Sequence, residues 1–412
     1  MDAAATDGGL TPTWRGIGAG RTLELLAVVL WMSELPLVRP IVTAKGIHQS
    51  RPLVFVQVRC RSHGDTVEGW GECAALGDAS YDGEDASVSS KALERTIVPA
   101  LFGQVAQDGR RLPPPSALDP VRRSAPGSPL AFAALEMAVA DAHLRAEGRD
   151  LAALLGVEGR TVELGAVAGL APSPDGLVAR VAELVDAGFA RVKVKVAPGS
   201  DVQHLEAVRR SWPELRLQAD ANGSYGAGDD EHLLGLDRFG LLCLEQPFDR
   251  ADLAAHARLA ARMSTPICLD ESLGSPADVD AALAVGACSV VCVKPARLGG
   301  LGAALQVIGS CAAAGVPMWM GGMFESGYAR AVNTTLAALA GFAWPGDLSP
   351  AGTYLRDDVV PGPQLTRRGP AGAVAACLPS GPGMGPPPDP LALARHLGRR
   401  VVMGVPWTNS SQ

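Results

Sequence analysis

The second half of the chain repeats one pattern. A short apolar, β-branched run ends on a charged residue, and a stretch with helical spacing follows. The runs are RVKVKV, LRLQAD, GLLCLE, TPICLD and SVVCVK, and they carry Lys195, Asp220, Glu245, Asp270 and Lys294. The steps between these residues are 220 − 195 = 25, 245 − 220 = 25, 270 − 245 = 25 and 294 − 270 = 24. Short apolar runs bounded by polar residues predict buried parallel strands. Strand–helix units at an even spacing predict consecutive units of a (β/α)8-type barrel, whose strand C-termini share one mouth. The five charged residues are therefore expected in one place.

Barrel strands are expected near 162–168, 190–196, 215–220, 241–245, 265–270, 289–294, 316–320 and, more weakly, 342–346, with helices such as 175–188 and 301–314 between them. Ahead of them, residues 22–62 read as strands broken at ELPLVRP, and GWGEC at 69–73 reads as a glycine-punctuated strand end. Helical spacing recurs at 84–103 and 128–147, with PPPSALDP at 113–120 as a loop. The fold class is α/β: a (β/α)8-type barrel preceded by an α+β capping domain, with a C-terminal segment returning to the cap. The expected divisions are a disordered extension at 1–21, the cap at 22–155, the barrel at 156–349 and a partly packed, flexibly ending tail at 350–412.

Composition narrows the class. With 47% hydrophobic and 19% charged residues and a formal charge of −7, the 412-residue chain reads as an ordinary soluble enzyme. No basic tract points to nucleic acid. The apolar stretch LELLAVVLWM at 23–32 is shorter than the ~20 residues of a membrane helix and lacks a small-residue cleavage site, so it reads as a first strand. The eight cysteines are scattered and form no CxxC pair, which fits buried thiols in a cytoplasmic, reducing setting. The expected partners are a small carboxylate substrate and further copies of the chain, with neither nucleic acid nor membrane.

A lone strand-end carboxylate usually caps the next helix. Three at successive strand ends, Asp220, Glu245 and Asp270, make an oxygen-rich site suited to Mg2+ or another divalent cation such as Mn2+. Lys195 and Lys294 flank that site from strands on opposite sides of a barrel. Lys193 shares a strand face with Lys195, because side chains alternate with period two. A lysine beside a divalent cation and a second ammonium has its neutral form favoured, as a general base requires. Glu271, next to Asp270, is expected to hold a lysine. A cation flanked by bases suits removal of a proton α to a carboxylate, with the enediolate stabilised as charge develops. The combination of a Lys or His base with Mg2+ is a known pattern for enolase-type sites.

The motifs resemble a known family. KVK at 193–195, DAN at 220–222, EQP at 245–247, DES at 270–272 and the sixth-strand Lys294 are similar to the muconate-lactonizing subgroup of the enolase superfamily. GWGEC, ALEMAVADA at 134–142, KPARLGG at 294–300 and GGMFESGYARA at 321–331 resemble its o-succinylbenzoate synthase / N-acylamino acid racemase family, over residues 23 to 390. The resemblance implies Asp220, Glu245 and Asp270 as Mg2+ ligands and Lys195 and Lys294 as acid/base residues. It implies Lys193 as a supporting cation near the substrate carboxylate with Asn222 beside it, and Arg297 as the arginine of members that racemise. It further implies that GGMFES, with Gly321, Gly322, Met323 and Glu325, lines the pocket, and that loops around Thr43–Gly46 and Leu76–Tyr81 close over it. Tyr328, Ala329 and the first-strand GAVAG depart from the pattern without touching the expected metal site.

Two activities are implied. One is o-succinylbenzoate synthase, a carbon–oxygen lyase of menaquinone biosynthesis. The other is racemisation of an N-succinyl or other N-acyl amino acid through the same enediolate. A non-catalytic scaffold is disfavoured because no ligand and no lysine is missing.

Overall fold

The computed structural model describes residues 10–43, 46–79, 81–360, 366–368 and 372–405. The cap is built on three antiparallel strands, β1 (Glu24–Thr43), β2 (Gly46–Ser62) and β3 (Asp65–Cys73). The expected break at ELPLVRP is instead a bulge inside β1: Pro36 pairs with Ser50, and the next pair is Ile41 with His48. Prolines cannot donate to a ladder, so a bulge accommodates them without ending the strand.

The helix Pro129–Glu147 packs across this sheet and is buried along almost its whole length. Its alanines explain how it gets so close. A Cβ on Gly69 would lie 2.2 Å from the Ala138 carbonyl, and one on Gly71 would lie 1.9 Å from that of Ala134. GWGEC and ALEMAVADA are thus two halves of one contact. Gly71→Ala is expected to cost about 3 kcal/mol, since backbone cannot yield as a side chain can. A lowered urea midpoint would show this, and an unchanged one would contradict the packing.

The barrel strands are β4 (Thr161–Glu163), β5 (Gly165–Ala168), β6 (Arg191–Lys195), β7 (Leu217–Asp220), β8 (Leu244–Glu245), β9 (Ile267–Leu269), β10 (Val290–Val293) and β11 (Met318–Met320). Seven of them form one parallel sheet in the order β11-β10-β9-β8-β7-β6-β5. The expected first strand divides in two: β4 leaves the barrel and pairs with the tail strands β12 (Thr366–Arg368) and β13 (Val374–Cys377). The expected eighth strand is reduced to single bridges, Phe342 to Met318 and Gly346 to Leu164. They still span the gap between β11 and the start of β5. The sequence FAWPGD holds a proline and a glycine, too few ladder donors and too little side chain for a regular strand.

The tail returns to the cap as β14 (Leu397–Gly404), which adds to β1 at the sheet edge. Residues 406–412, whose end was expected to be flexible, lie outside the described residues. Part of the N-terminal extension does not match its expected disorder. Leu10–Arg15 is helical, and Trp14 and Ile17 are buried in the core that contains the helix Leu301–Ala313. Two large apolar side chains outweigh the surrounding Gly, Ala and Thr. No helix among the described residues is long and apolar enough to cross a membrane.

Candidate active site

Strand register brings the repeated charges together. Lys195 on β6 is paired with Asp220 on β7, and Asp220 with Glu245 on β8. Glu245 is next to Cys268 on β9, so Asp270 stands one side-chain repeat further on, as barrel stagger requires. All three carboxylates are buried.

The Lys195 Nζ donates to Asp220 Oδ2 and to Asn222 Oδ1, each at 2.6 Å. Asn222 Nδ2 in turn donates to Glu271 Oε1 at 2.8 Å. Glu271 therefore reaches Lys195 through Asn222. Asn222 has φ 44°, a left-handed conformation that Asn tolerates, and its amide N–H bonds back to Asp220 Oδ1 at 3.0 Å. Gln246 of EQP also has positive φ (41°) and is pinned by its side chain, which accepts from Asp270 N and donates to Ser272 Oγ.

Lys193 faces three carboxylates. It is buried, 2.7 Å from Asp347 Oδ2, 3.1 Å from Glu245 Oε2 and 3.2 Å from Asp220 Oδ2, with its ammonium over the Trp319 ring. Burial alone lowers its pKa, but Asp347, Glu245 and Asp220 outweigh that and hold it well above the lysine value. Asn222 lies beside Lys195. Asp347 was missed in the sequence, although a signal existed: 347 − 294 = 53, about two of the 25-residue steps, placing an acid at the end of the eighth segment.

On the other side of the mouth, Lys294 Nζ is 2.7 Å from Asp270 Oδ2. Burial lowers the Lys294 pKa, yet Asp270 raises it to about 12. The carboxylates alone thus act opposite to the lowering expected from a neighbouring cation. Asp270 also receives Arg297 on Oδ1 and the Tyr81 hydroxyl on Oδ2 at 2.6 Å. Burial raises its carboxyl, but Arg297 and Lys294 dominate and hold it well below the usual range. Tyr81 comes from the cap, its ring lies 4.9 Å from the Lys294 ammonium, and its neighbour Asp82 pairs with Arg297. The loop Leu76–Tyr81 does reach the site; Ser80 within it, and Ala44 and Lys45 of the other expected loop, lie outside the described residues.

Two domain families match this chain. The model described as mandelate racemase / muconate lactonizing enzyme, N-terminal domain, covers residues 27–156, and the enolase C-terminal domain-like model covers 176–392. An N-succinylamino acid racemase of Amycolatopsis is 37% identical over 93% of this chain and 100% of its own length. An o-succinylbenzoate synthase of Geobacillus kaustophilus is 37% identical over 81% of this chain and 86% of its own. The crystal structure of an enolase-superfamily protein from Listeria innocua aligns at TM-score 0.84 and 32% identity, covering 93% of this chain and all of the other.

The chain belongs to the enolase superfamily. Membership implies a divalent cation, and the residues fit one. Oxygen atoms of Glu245 and Asp270 and the sulfur of Cys292 all lie within 4.8 Å of one another. Burial, and then Asp220, push the Glu245 carboxyl well above its usual range. Lys193 does not offset this because it is shared with Asp347 and Asp220. A divalent cation would relieve that crowding of carboxylates. Asp220 stands outside this group, since its Oδ2 is turned to Lys195 and Lys193.

The enolase-superfamily loop GGMFES is fixed chiefly by the cap. A Cβ on Gly321 would lie 2.5 Å from Lys294 Cε, and one on Gly322 would lie 2.6 Å from the Asp347 carbonyl, so both must be glycine. Met323 is buried among cap residues. The buried Arg51 donates to the carbonyls of Met323 (3.0 Å) and Phe324 (3.2 Å), holding Phe324 at φ 53°. Glu72 of GWGEC accepts from Ser326 N at 2.8 Å, and so caps the helix Gly327–Leu336 across the cap–barrel contact. Glu136 does the same for the helix Leu301–Ala313, accepting from Leu301 N at 2.6 Å. Glu325 is buried, accepting from Met323 N and Asn333. Tyr328 is likewise buried, with its hydroxyl on the Trp70 carbonyl of β3, so this departure from the motif serves the cap contact. Arg51 and Glu72 lay outside the expected site set, since their partners are more than 250 residues away.

Proposed function

We propose that this chain is an o-succinylbenzoate synthase, dehydrating a succinyl-hydroxycyclohexadiene carboxylate to the aromatic product. The observation that carries this reading is the pair of lysine amino groups at the ends of β6 and β10, each joined to its own strand-end carboxylate, with Glu245 between them in the sheet. Relatives at 33–37% identity that bear the synthase name support it.

In this reading Glu245 and Asp270, joined by Asp220 once it turns from Lys195 and Lys193, would hold Mg2+, or Mn2+, which would supply positive charge where the substrate carboxylate becomes an enediolate. Lys195, kept in place by Asn222 and Glu271, takes the α-proton. The ring C–O bond then breaks, and the same lysine returns the proton to the departing hydroxyl, which leaves as water. Lys294 stays protonated and faces the developing charge. Residues 22–155 act as the capping domain of the 156–349 barrel, with Tyr81 and Asp82 closing against Lys294 and Arg297 and excluding water.

The second reading is an N-succinylamino acid racemase. It is favoured by Arg297 against Asp270 and by the full-length match to the Amycolatopsis racemase. There Lys195 and Lys294 exchange roles on opposite faces of the α-carbon. The test is to assay purified protein with Mg2+ on both the cyclohexadiene and N-succinyl amino acids. Dehydration is expected, and racemisation without dehydration would replace the first reading with the second. Activity on neither would remove both.

A further inference from the structure

One group in the site has no part in the proposed chemistry. Cys292 lies on β10 two residues before Lys294, on the same strand face and deeper in the barrel. It is buried, and its Sγ lies within 4.8 Å of oxygens of Glu245 and Asp270. The neighbouring Cys268 is differently engaged, accepting a hydrogen bond from Trp319 Nε1 at 3.2 Å. Packing holds the Cys292 sulfur where it is: a Cβ on Gly321 would come within 2.6 Å of it, so only glycine there lets thiol and Lys294 sit side by side.

Two carboxylates and a thiol within reach of one point are a mixed hard and soft ligand set. Mg2+ prefers oxygen and keeps its waters, whereas Zn2+, Co2+ and Cd2+ accept sulfur readily. We propose that Cys292 with Glu245 and Asp270 forms a second, deeper binding mode for thiophilic divalent cations, which compete there with the oxygen-bound metal. This rests on the assignment of Glu245 and Asp270 as metal ligands. Forming the sulfur–metal bond breaks the S–H bond, and the proton leaves to solvent, so one proton is released per cation seated this way. The occupant blocks the enzyme, because it withdraws Glu245 and Asp270 from the layer in which Lys195 and Lys294 work.

The test uses full-length protein cleared of metal by a chelator. Co2+ added to native protein is expected to give a sulfur-to-cobalt charge-transfer band in the near ultraviolet, absent in Cys292→Ser. Zn2+ affinity is expected to fall by about tenfold or more in that variant. Zinc X-ray absorption on the native protein should show one sulfur among the ligands, a measurement that needs no variant. Co2+ binding without the charge-transfer band, or a zinc shell of oxygen and nitrogen alone, overturns the proposal and leaves the carboxylate centre standing. Equal Co2+ affinity in native protein and Glu245→Gln would instead overturn both the proposal and the metal assignment beneath it.

Discussion

Asp270→Asn should reduce kcat/KM by about three decades or more, even with Mg2+ in excess. Asp270 accepts from Lys294, Arg297 and Tyr81 while buried, so it is both a proposed ligand and the anchor of one acid/base residue. Removing one partner of a buried charge pair costs about 3–5 kcal/mol. That cost is relieved by displacing Lys294 and Arg297, and a misplacement of ~1 Å alone lowers a rate by about two decades. Loss of a ligand adds to it, because a cation that already keeps several waters has few protein ligands to spare. Metal affinity by calorimetry should fall together with turnover. Full activity of chelator-treated Asp270→Asn without added metal would rule out the assignment.

Lys195→Ala and Lys294→Ala should each lower proton exchange at the substrate α-carbon by about 10²–10⁴-fold, but on opposite enantiomers. The two lysines enter from β6 and β10, with three strands between them in the sheet. A base can take only a proton within its hydrogen-bond reach, so each face needs its own lysine. With an N-succinyl amino acid in deuterated water, native protein is expected to exchange both enantiomers and each variant to lose mainly one. Loss of an ammonium also weakens stabilisation of the enediolate and slows both somewhat. The bias between enantiomers is therefore the quantity to measure. Equal slowing of both by each variant would defeat the two-face arrangement. Absence of exchange together with dehydration of the cyclohexadiene would leave the synthase reading alone.

The strand ends were legible in the sequence because they are a local property. A β-strand presents alternate side chains to alternate faces, and a barrel unit has a nearly fixed length. The 25-residue spacing therefore placed Lys195, Asp220, Glu245, Asp270 and Lys294 at one mouth before any contact was known. The cap strands were legible for the same reason, whereas the tail strand Leu397–Gly404 was not. The limits show where local pattern ends. The first barrel strand divided because β13 of the tail competes for Thr161–Glu163. The weak eighth strand shrank to two bridges because Pro345 and Gly346 cannot sustain a ladder.

The sequence by itself determined which charged residues gather at the mouth, and the motifs determined the family to which they belong. Only the tertiary structure decided what each of them touches. Lys193 meets Asp347, which follows the weak eighth strand, as well as Glu245 and Asp220. Glu271 meets Lys195 by way of Asn222. Asp270 takes its tyrosine partner from the cap, 189 residues earlier in the chain. Cys292, not Asp220, lies within metal-ligand reach of both Glu245 and Asp270, because strand stagger sets the depth of each side chain. Side-chain direction along a strand follows from a period of two, but the partner it meets follows from barrel closure and cap docking. Those contacts join residues with no pattern in common, so no local signal encodes them.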